Sequence, residues 1–593
     1  MSHLPFTLLA YFLNSISVTV NKILLKKDIP DPFAYIFYIS IFSLILLPAI
    51  IFTQVLSLTV FTQASISTLS WITGAYFMFK ALKTGQVSRV IPVIGTILTL
   101  ILFFEAARTS SISLNQTWAI FFLVMGLIFI TLIDWKGKFS KKEILYETIS
   151  ACFFAISYIL LRKAYLQAPF FSVLVQSRLI LIPLILLILS LPSLRKKVII
   201  KPAISKNSFS KTGLIFLAGQ VSGGASELLL LFSISLANPA LVNSLQGTQY
   251  IFLLVFGLFL KEKYTKLALF FKLVGIIFIA MGLYVLTFPA SKESLIGFTF
   301  SPRYTREIGL NPQVLFSRIL DDFKPKILRL PVYWDEVEAF PNDLNFSKID
   351  YYLDLAQSRN IKVILVLGYK QPRWPECFDP LWVKNLIRSE RDLRIINLVQ
   401  KEIDHFKKYK NIVSWQVENE PFLPFGNCDN PDPKTYDRLK KEIQIVRKAD
   451  SRPILITDSG ELGFWIPAIN SSDIFGTTLY RSVWNPILGS VDYPLPPIAY
   501  HLKDKLARNL VLKKGETIIS ELQMEPWIEE SKLPSKSNLE SQIKNFPVGR
   551  LSGNLKYAKE TSISTVYLWG VEWWYFMEKM NHPEYLKEAK KLF

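Results

Sequence analysis

Long apolar runs of membrane-spanning length fill the first 290 residues of the chain and then stop. A helix needs roughly 20 apolar residues to cross a bilayer. The 593-residue chain is 51% hydrophobic with a mean hydropathy of +0.31, which is too apolar for an ordinary soluble enzyme. The sequence therefore predicts an all-α membrane bundle followed by a different domain. Ten spans are predicted, at residues 5–25, 33–53, 64–84, 88–106, 115–134, 144–164, 170–194, 212–236, 240–260 and 266–288.

The predicted spans repeat within the chain. Glu105 in LILFFEAART is matched 157 residues later by Glu262 in FGLFLKEKYT, and VMGLIFI at residues 124–130 is matched by AMGLYVL at residues 280–286. SVTVNKILLKK, near the front, aligns with ISYILLRKAY at an offset of 141 residues. Internal duplication of spans is typical of secondary transporters.

These matched segments give the helical region a family resemblance. It resembles the drug/metabolite transporter superfamily, in particular the ten-helix branch with paired EamA-type repeats, over residues 1–288. The resemblance implies two five-helix transmembrane repeats, residues 1–140 and 141–290, and a small-molecule solute as partner.

Basic residues in the predicted loops indicate an orientation. Residues 1–290 carry a net charge of +16 and the remainder +4. Odd-numbered loops hold eighteen Lys and Arg residues and even-numbered loops hold three. Since positive loops stay in the cytoplasm, both termini are predicted outside, opposite to the usual orientation of the superfamily. Because the basic residues lie in short clusters between apolar runs, they do not favour nucleic acid as a partner.

Three ionisable residues lie inside the predicted spans. Glu227 and Arg178 lie within their spans, and Lys22 lies nearer the end of its span. Ionisable groups in a bilayer are costly and mark substrate paths, so all three are candidates for a transport path. The alternatives are pairing of Arg178 with Glu227, or a Lys22 side chain that reaches the interface. We assign Glu105 and Glu262 structural roles near helix ends.

From residue 291 onward, β-rich runs alternate with charged amphipathic segments, which is the pattern of βα units. Eight such units in about 300 residues predict a (β/α)8 TIM barrel over residues 291–593, with its site at the C-terminal ends of the strands. The predicted strands cover residues 294–300, 326–332, 361–368, 412–419, 453–459, 474–480, 516–522 and 564–570.

Two predicted strands end in carboxylates. The fourth, SWQVENEP, ends at Asn419 and Glu420, and the seventh ends at Glu521. Hydrolysis of a glycosidic bond needs such a pair, one as acid and one as anion. Arg329 in the second strand and Tyr480 at the end of the sixth would keep the anion ionised. Asn419 would bind a sugar hydroxyl.

This pattern resembles the clan A glycoside hydrolases, most closely family 5-like enzymes, over residues 294–593. The resemblance implies that Glu420 is the general acid/base and Glu521 the nucleophile. None of the four histidines lies at a predicted strand end, which departs from family 5. Tryptophans would supply flat faces for pyranose rings: Trp374, Trp527, Trp569, Trp573 and Trp574.

Two other acidic residues lie close to the predicted pair. We interpret Glu418 as a buried salt-bridge partner and Glu525 as a loop carboxylate. Cys377 and Cys428 follow neighbouring strands, so they would form a disulfide outside the cytoplasm or remain two separate thiols.

The sequence therefore predicts a multi-pass protein of the cell membrane. It joins a transporter-like domain to a retaining glycosidase that acts outside the cytoplasm on a carbohydrate near the bilayer. No cofactor or metal is expected, because the sequence shows no phosphate loop, metal-ligand cluster or nucleotide fingerprint. The alternatives are a transporter whose barrel only binds glycans and a fusion of two unrelated genes.

Overall fold

The chain forms two compact units, Met1–Phe288 and Pro289–Phe593. The structure is a computed structural model, and it describes residues 3–24, 32–84, 87–109, 111–132, 140–198, 211–259, 264–288, 294–428, 432–485, 489–528 and 533–593.

The described residues of the first unit form helices joined by short turns. Its helices are α1 Leu4–Leu24, α2 Pro32–Ser43, α3 Leu58–Thr84, α4 Val87–Arg108, α5 Leu114–Thr131, α6 Lys141–Tyr165, α7 Phe170–Gln176, α8 Leu181–Ser190, α9 Pro192–Val198, α10 Lys211–Leu236, α11 Pro239–Ser244, α12 Gly247–Phe259 and α13 Lys266–Thr287. Two 3₁₀ segments, Leu44–Phe52 and Ser177–Ile180, continue α2 and join α7 to α8.

Seven helical stretches in the described part of this unit are long and apolar enough to cross a membrane, not the ten predicted. In α1 and α10 the apolar segments are shorter, Leu4–Thr19 and Val221–Leu236. Helix α3 is long, but a series of Ser and Thr side chains on its buried face makes it more polar. The seven stretches are Pro32–Phe52, Val90–Arg108, Leu114–Thr131, Lys141–Tyr165, Phe170–Ser190, Pro239–Phe259 and Lys266–Thr287.

Three helix pairs dominate the packing of the helical unit: α3 with α6, α1 with α10, and α5 with α13. The α5–α13 pair is close because glycines face each other. A Cβ added at Gly126 would lie 2.9 Å from the carbonyl oxygen of Gly275. Small residues allow such close approach of apolar helices, where there is little water to expel.

Eight parallel strands of the second unit form a closed barrel, which confirms the predicted TIM-like fold. Each strand begins and ends within two residues of its prediction. The barrel strands, in order around the barrel, are β1 Leu295–Thr299, β2 Ile327–Pro331, β3 Lys362–Leu367, β4 Ile412–Val417, β5 Ile454–Asp458, β6 Ile474–Leu479, β9 Glu516–Gln523 and β10 Thr565–Trp569. An antiparallel hairpin, β7 Ser482–Asn485 and β8 Gly489–Asp492, follows β6 and was not predicted.

Helices accompany the barrel strands along the chain. They are α14 Pro302–Glu307, α15 Pro312–Phe323, α16 Trp334–Val337, α17 Ser347–Ser358, α18 Arg388–Phe406, α19 Pro433–Ala449, α20 Ile466–Ser471, α21 Pro497–Val511, α22 Leu539–Asn545, α23 Gly549–Glu560, α24 Val571–Lys579 and α25 Glu584–Lys590, with 3₁₀ turns at Leu381–Asn385 and Pro534–Lys536.

Side chains from different strands meet in a buried apolar cluster of the barrel. Ile327, Ile364, Leu455, Ile518 and Tyr567 pack together there. Two residues farther along β2, toward the C-terminal end, Arg329 takes the same face as Ile327, because strand side chains alternate with a period of two. An apolar layer therefore lies below a polar one.

Candidate active site

Arg329 is at the centre of the polar layer. It is 0% exposed, and its guanidinium donates three hydrogen bonds of 2.7 Å each, to Gln416 Oε1, Asn419 Oδ1 and Glu521 Oε1. A planar guanidinium can donate several hydrogen bonds at once to fixed acceptors, because its N–H groups point in fixed directions. Arg329 thus connects β2 with the ends of β4 and β9.

Glu521 faces the same layer because β9 contains an irregularity. Ile518 packs in the interior cluster, so strict alternation would turn a residue three positions later to the opposite face. The register between β6 and β9 shifts between Thr477 and Thr478, so that Thr478 pairs with Glu521. Such a bulge re-aims side chains. Glu521 Oε2 accepts a 2.8 Å hydrogen bond from the hydroxyl of Tyr480.

Glu420 lies just beyond β4, in a left-handed backbone conformation with φ 44°. Its N–H donates to Thr457 Oγ1 at 2.9 Å. Its carboxyl is buried, and Oε1 has no hydrogen-bond partner among the described residues. Burial, together with the carboxylates of Glu376 and Glu521, raises the pKa of Glu420 well above its ordinary value. These surroundings favour the protonated form of Glu420.

Asn419 directly precedes Glu420 in the chain. Its Oδ1 accepts from Arg329, and its N–H donates to the carbonyl of Lys370 at 2.7 Å. The structure thus brings together the four predicted residues Arg329, Asn419, Glu420 and Glu521, with Tyr480 bonded to the last of them. Two members of the network, Gln416 and Thr457, were not predicted, because neither side chain has a chemistry that marks it in the sequence.

Glu525 lies in the loop that follows β9, as interpreted from the sequence, and its carboxylate is paired there. It is buried and forms an ion pair with Arg373, and it accepts a 2.8 Å hydrogen bond from the hydroxyl of Tyr304. Arg373 also binds Glu572 at 3.1 Å, and its guanidinium lies 4.0 Å from the ring centroid of Trp569. This cluster fixes Trp569 at the end of β10.

Glu418 is buried just beyond the end of β4. Its carboxylate accepts hydrogen bonds from the backbone N–H groups of Tyr369, at 3.1 Å, and Lys370. Arg438 lies 3.8 Å away as an ion-pair partner. The arrangement holds the turn after β3 against the end of β4.

The predicted tryptophans fall into two groups. Trp374 is 41% exposed, and its ring contacts Phe425, which in turn contacts Trp527 at a centroid distance of 6.1 Å. Trp527 packs edge-on against Tyr480. Trp573 and Trp574, in contrast, are 0% exposed in helix α24, so the prediction that they offer faces to sugar was wrong.

A disulfide joins the loops that follow β3 and β4. It links Cys377 to Cys428 with a Cα–Cα distance of 5.4 Å. Beside it lies Glu376, a buried carboxylate that no sequence feature singled out; Lys370 Nζ is 3.2 Å from its Oε2. The third cysteine, Cys152, is a free thiol in helix α6.

The candidate transport-path residues belong to the helical unit. Arg178 and Glu227 interact electrostatically, and Nε of Arg178 is buried without a hydrogen-bond partner in the described part of the chain. Glu105 lies in the last turn of α4. The side chain of Lys22 and all of Glu262 lie outside the described residues.

Among the described residues, no group of three or more His, Cys, Asp or Glu side chains is arranged to hold a metal ion. No family model matches the chain, and no curated protein matches it.

Solved structures of glycoside hydrolases resemble part of the chain. They include a GH2 β-galacturonidase from Eisenbergiella tayi (14% identity, 47% of this chain and 44% of that chain, TM-score 0.30). A β-galactosidase from Rahnella sp. R3 shares 12% identity over 48% and 51%, with a TM-score of 0.32. A GH10 endo-β-1,4-xylanase from Gloeophyllum trabeum shares 15% over 47% and 84%, also with 0.32. The chain spans about half the length of the first two. At TM-scores this low, function has to be argued from the geometry of the site.

Proposed function

We propose that the protein is a membrane-bound retaining glycoside hydrolase, with Glu521 as nucleophile and Glu420 as general acid/base. The observation that supports this most is the contrast between the two carboxyl groups. Glu521 is paired with Arg329 and Tyr480, which stabilises its anion. Glu420 is buried without a donor to its Oε1, which favours its protonated form. Two carboxyl groups in opposite ionisation states are what acid-assisted displacement at a sugar needs.

The reaction proceeds in two displacements. A carboxylate oxygen of Glu521 attacks the anomeric carbon while the bond to the leaving oxygen breaks, and Glu420 gives that oxygen its proton. Glu420, now a carboxylate, then takes a proton from a water molecule that attacks the same carbon. This step releases Glu521 and returns the proton to Glu420.

The remaining predicted residues bind substrate. The Nδ2 group of Asn419 makes no hydrogen bond within the described part of the chain and would donate to a sugar hydroxyl. Trp374 is 41% exposed and offers an apolar ring face, whereas Trp569 is 7% exposed and has one face covered by Arg373, so only its other face would contact a sugar. Sugar rings pack well on such faces because their C–H groups are apolar.

For the helical unit we propose a membrane-spanning domain related to drug/metabolite transporters, with two five-helix halves. The helix pairing supports this. If the two halves are related, the third predicted span corresponds to the eighth, and the sixth corresponds to the first. A contact between the third and sixth spans should therefore recur between the eighth and first spans. These are the observed pairs α3–α6 and α10–α1, and the fifth and tenth spans pair as α5–α13. Glu227, Arg178 and Lys22 would line a path for a small solute between the halves.

We propose that the barrel lies outside the cytoplasm. The disulfide between Cys377 and Cys428 supports this, because disulfides persist in oxidising compartments, and the excess of basic residues in odd-numbered loops agrees with it. Native membranes carrying Cys152→Ala protein provide the test. After denaturation, a maleimide polymer should add to two thiols only if a reductant is applied first. Labelling without reductant would place the barrel in the cytoplasm.

The catalytic proposal is tested with the full-length protein in detergent. It is incubated with 2-deoxy-2-fluoroglycosyl fluorides of several configurations, and the intact mass and the labelled peptide are measured. One label at Glu521, absent in Glu521→Gln but present in the exposed control Glu540→Gln, is the expected result. If a folded protein shows neither label nor turnover with any aryl glycoside, the barrel is a glycan-binding module instead.

A further inference from the structure

A third carboxyl group, that of Glu376, lies next to the candidate acid/base. Glu376 is 6% exposed. Lys370 Nζ lies 3.2 Å from its Oε2, and the same ammonium group donates to the backbone carbonyls of Glu420 at 3.0 Å and Leu423 at 2.9 Å. One lysine therefore joins Glu376 to the segment that carries Glu420.

The backbone holds Glu376 in this place at some energetic cost. Its φ of 69° lies in the left-handed region, as does that of Glu420, and such conformations cost of order 1 kcal/mol or more for residues other than glycine. The N–H of Gln371 donates to the Glu376 carbonyl at 2.7 Å. The adjacent Cys377 is bonded to Cys428. The surroundings thus impose a conformation that the residue itself does not favour, which is typical of functional sites.

Charged and titratable groups from several strands face the two carboxyl groups. Glu376 interacts with Lys370, Glu521 and Arg329. The groups that face Glu420 are Glu376, Glu521, Lys370, Asp458 and Tyr480.

The contacts of the two carboxyl groups differ, and they favour a negative charge on Glu376 and a proton on Glu420. Glu376 has an ammonium group within ion-pair distance of its carboxylate, which stabilises the anion. The same ammonium reaches only the backbone carbonyl of Glu420, and Oε1 of Glu420 has no donor. Burial raises the pKa of both groups, to about 7 for Glu376, and the Glu376 carboxylate raises the pKa of Glu420 further.

We propose that Glu376 is a positioning residue of the catalytic site, whose negative charge keeps the neighbouring Glu420 protonated and ready to donate to the leaving group. The proposal rests on the proposed glycosidase activity. The proton that leaves Glu420 for the glycosidic oxygen is replaced from water in the second displacement, so Glu376 is unchanged over the cycle. Its effect is electrostatic: repulsion between two carboxylates disfavours loss of the Glu420 proton.

The test is the pH dependence of kcat/KM of the full-length protein, with an aryl glycoside whose leaving group is poor. Activity falls as pH rises through the pKa of the acid. In Glu376→Gln the repulsion is gone and Lys370 loses its carboxylate partner. Both changes lower the pKa of Glu420, so the alkaline limb should move to lower pH by about one unit. Glu376→Asp keeps the charge, and aspartate tolerates positive φ, so its limb should stay near that of the wild type.

A second substrate separates this role from general damage to the site. A dinitrophenyl glycoside needs no proton on its leaving group, so its kcat/KM at alkaline pH should be similar in Glu376→Gln and the wild type. The exposed control Asp321→Asn should leave both profiles unchanged. Thermal melts establish that each variant is folded.

Two results would overturn the inference without touching the proposed activity: an alkaline limb that is not displaced in a folded Glu376→Gln protein, or an equal displacement in Glu376→Asp. If the wild type itself neither turns over nor takes the fluorosugar label, the proposed activity fails instead. The two failures are therefore distinguishable.

Discussion

Nη1 of Arg329 lies 2.7 Å from Oε1 of Glu521, and both side chains are buried. A buried ion pair is held by geometry as much as by charge, because each partner has lost its water. Here the remaining donors of the arginine are also used, on Gln416 and Asn419. The pair therefore determines the direction of the Glu521 carboxylate.

Arg329→Lys should reduce kcat/KM at least about 100-fold, although the charge is kept, because an ammonium group cannot reproduce the guanidinium fork. The unpaired oxygens of Gln416 and Asn419 should also lower the melting temperature. Steady-state kinetics and thermal melts measure both effects. Arg318→Lys, at a half-exposed pair with Glu578, is the matched control. A twofold or smaller loss in Arg329→Lys would contradict this role.

Tyr480→Phe should lower kcat about 10- to 100-fold and leave the fold intact. The change removes one hydrogen bond to Glu521 Oε2, and a hydrogen bond to a charged group is worth about 1.5–3 kcal/mol. Tyr575→Phe is the control, since Tyr575 makes an equivalent 2.8 Å bond to Asp322, outside the site. Equal losses of kcat in the two variants would show that Tyr480 has no special place in catalysis.

The double change of Cys377 and Cys428 to serine should destabilise the barrel by about 4 kcal/mol, from the chain entropy of a loop of this size. The two cysteines are 51 positions apart in sequence. The melting temperature of the wild type in reductant should fall to that of the double variant, whereas Cys152→Ala should melt like the wild type. In a further test, the wild type is unfolded, treated with reductant and refolded. If its melting temperature is then unchanged, the result argues against the bond.

The stability of the barrel should fall as pH rises from about 4.5 to about 7. Burial raises the pKa of Glu572 from 4.5 to about 7, although Arg373 opposes the shift. In that window the folded state binds a proton that the unfolded state has lost, so stability decreases with pH by up to about 3 kcal/mol. Melts of the wild type should be higher at pH 5 than at pH 8. Glu572→Gln should flatten the dependence, and the part-exposed Glu578→Gln should not; a slope unchanged in Glu572→Gln would refute the assignment.

The barrel could be predicted in detail because its strands are short β-rich runs separated by charged helices. Each strand carries its own signal, and the eight signals agree on one architecture. The helical unit was harder. Hydropathy located its helices, but α3 carries hydroxyl side chains that other helices cover. These polar side chains lower the mean hydropathy of α3, although the segment still forms a helix.

The candidate site shows where sequence reasoning ends. Glu420 and Glu521 could be placed at strand ends, because the C-terminal ends of barrel strands meet at one mouth. The inward direction of Glu521 depends on a bulge between β6 and β9, which no local pattern announces. The position of Glu376 depends on a left-handed backbone and on the bond of its neighbour Cys377 to Cys428, 51 positions away in the sequence. Such features arise from tertiary structure, and they concern the residues nearest the chemistry.

Three cations among the described barrel residues are paired with buried carboxylates. Arg329 binds Glu521, Arg373 binds Glu525, and Lys370 binds Glu376. Each of these three positive charges already has a carboxylate partner, so none of the three is free to neutralise an acidic group on a bound molecule, and a buried anion without a partner is very costly. Under the proposed function, these three ion pairs disfavour a sugar that would place a carboxylate, sulfate or phosphate against Arg329, Arg373 or Lys370, and they leave a neutral ring unaffected.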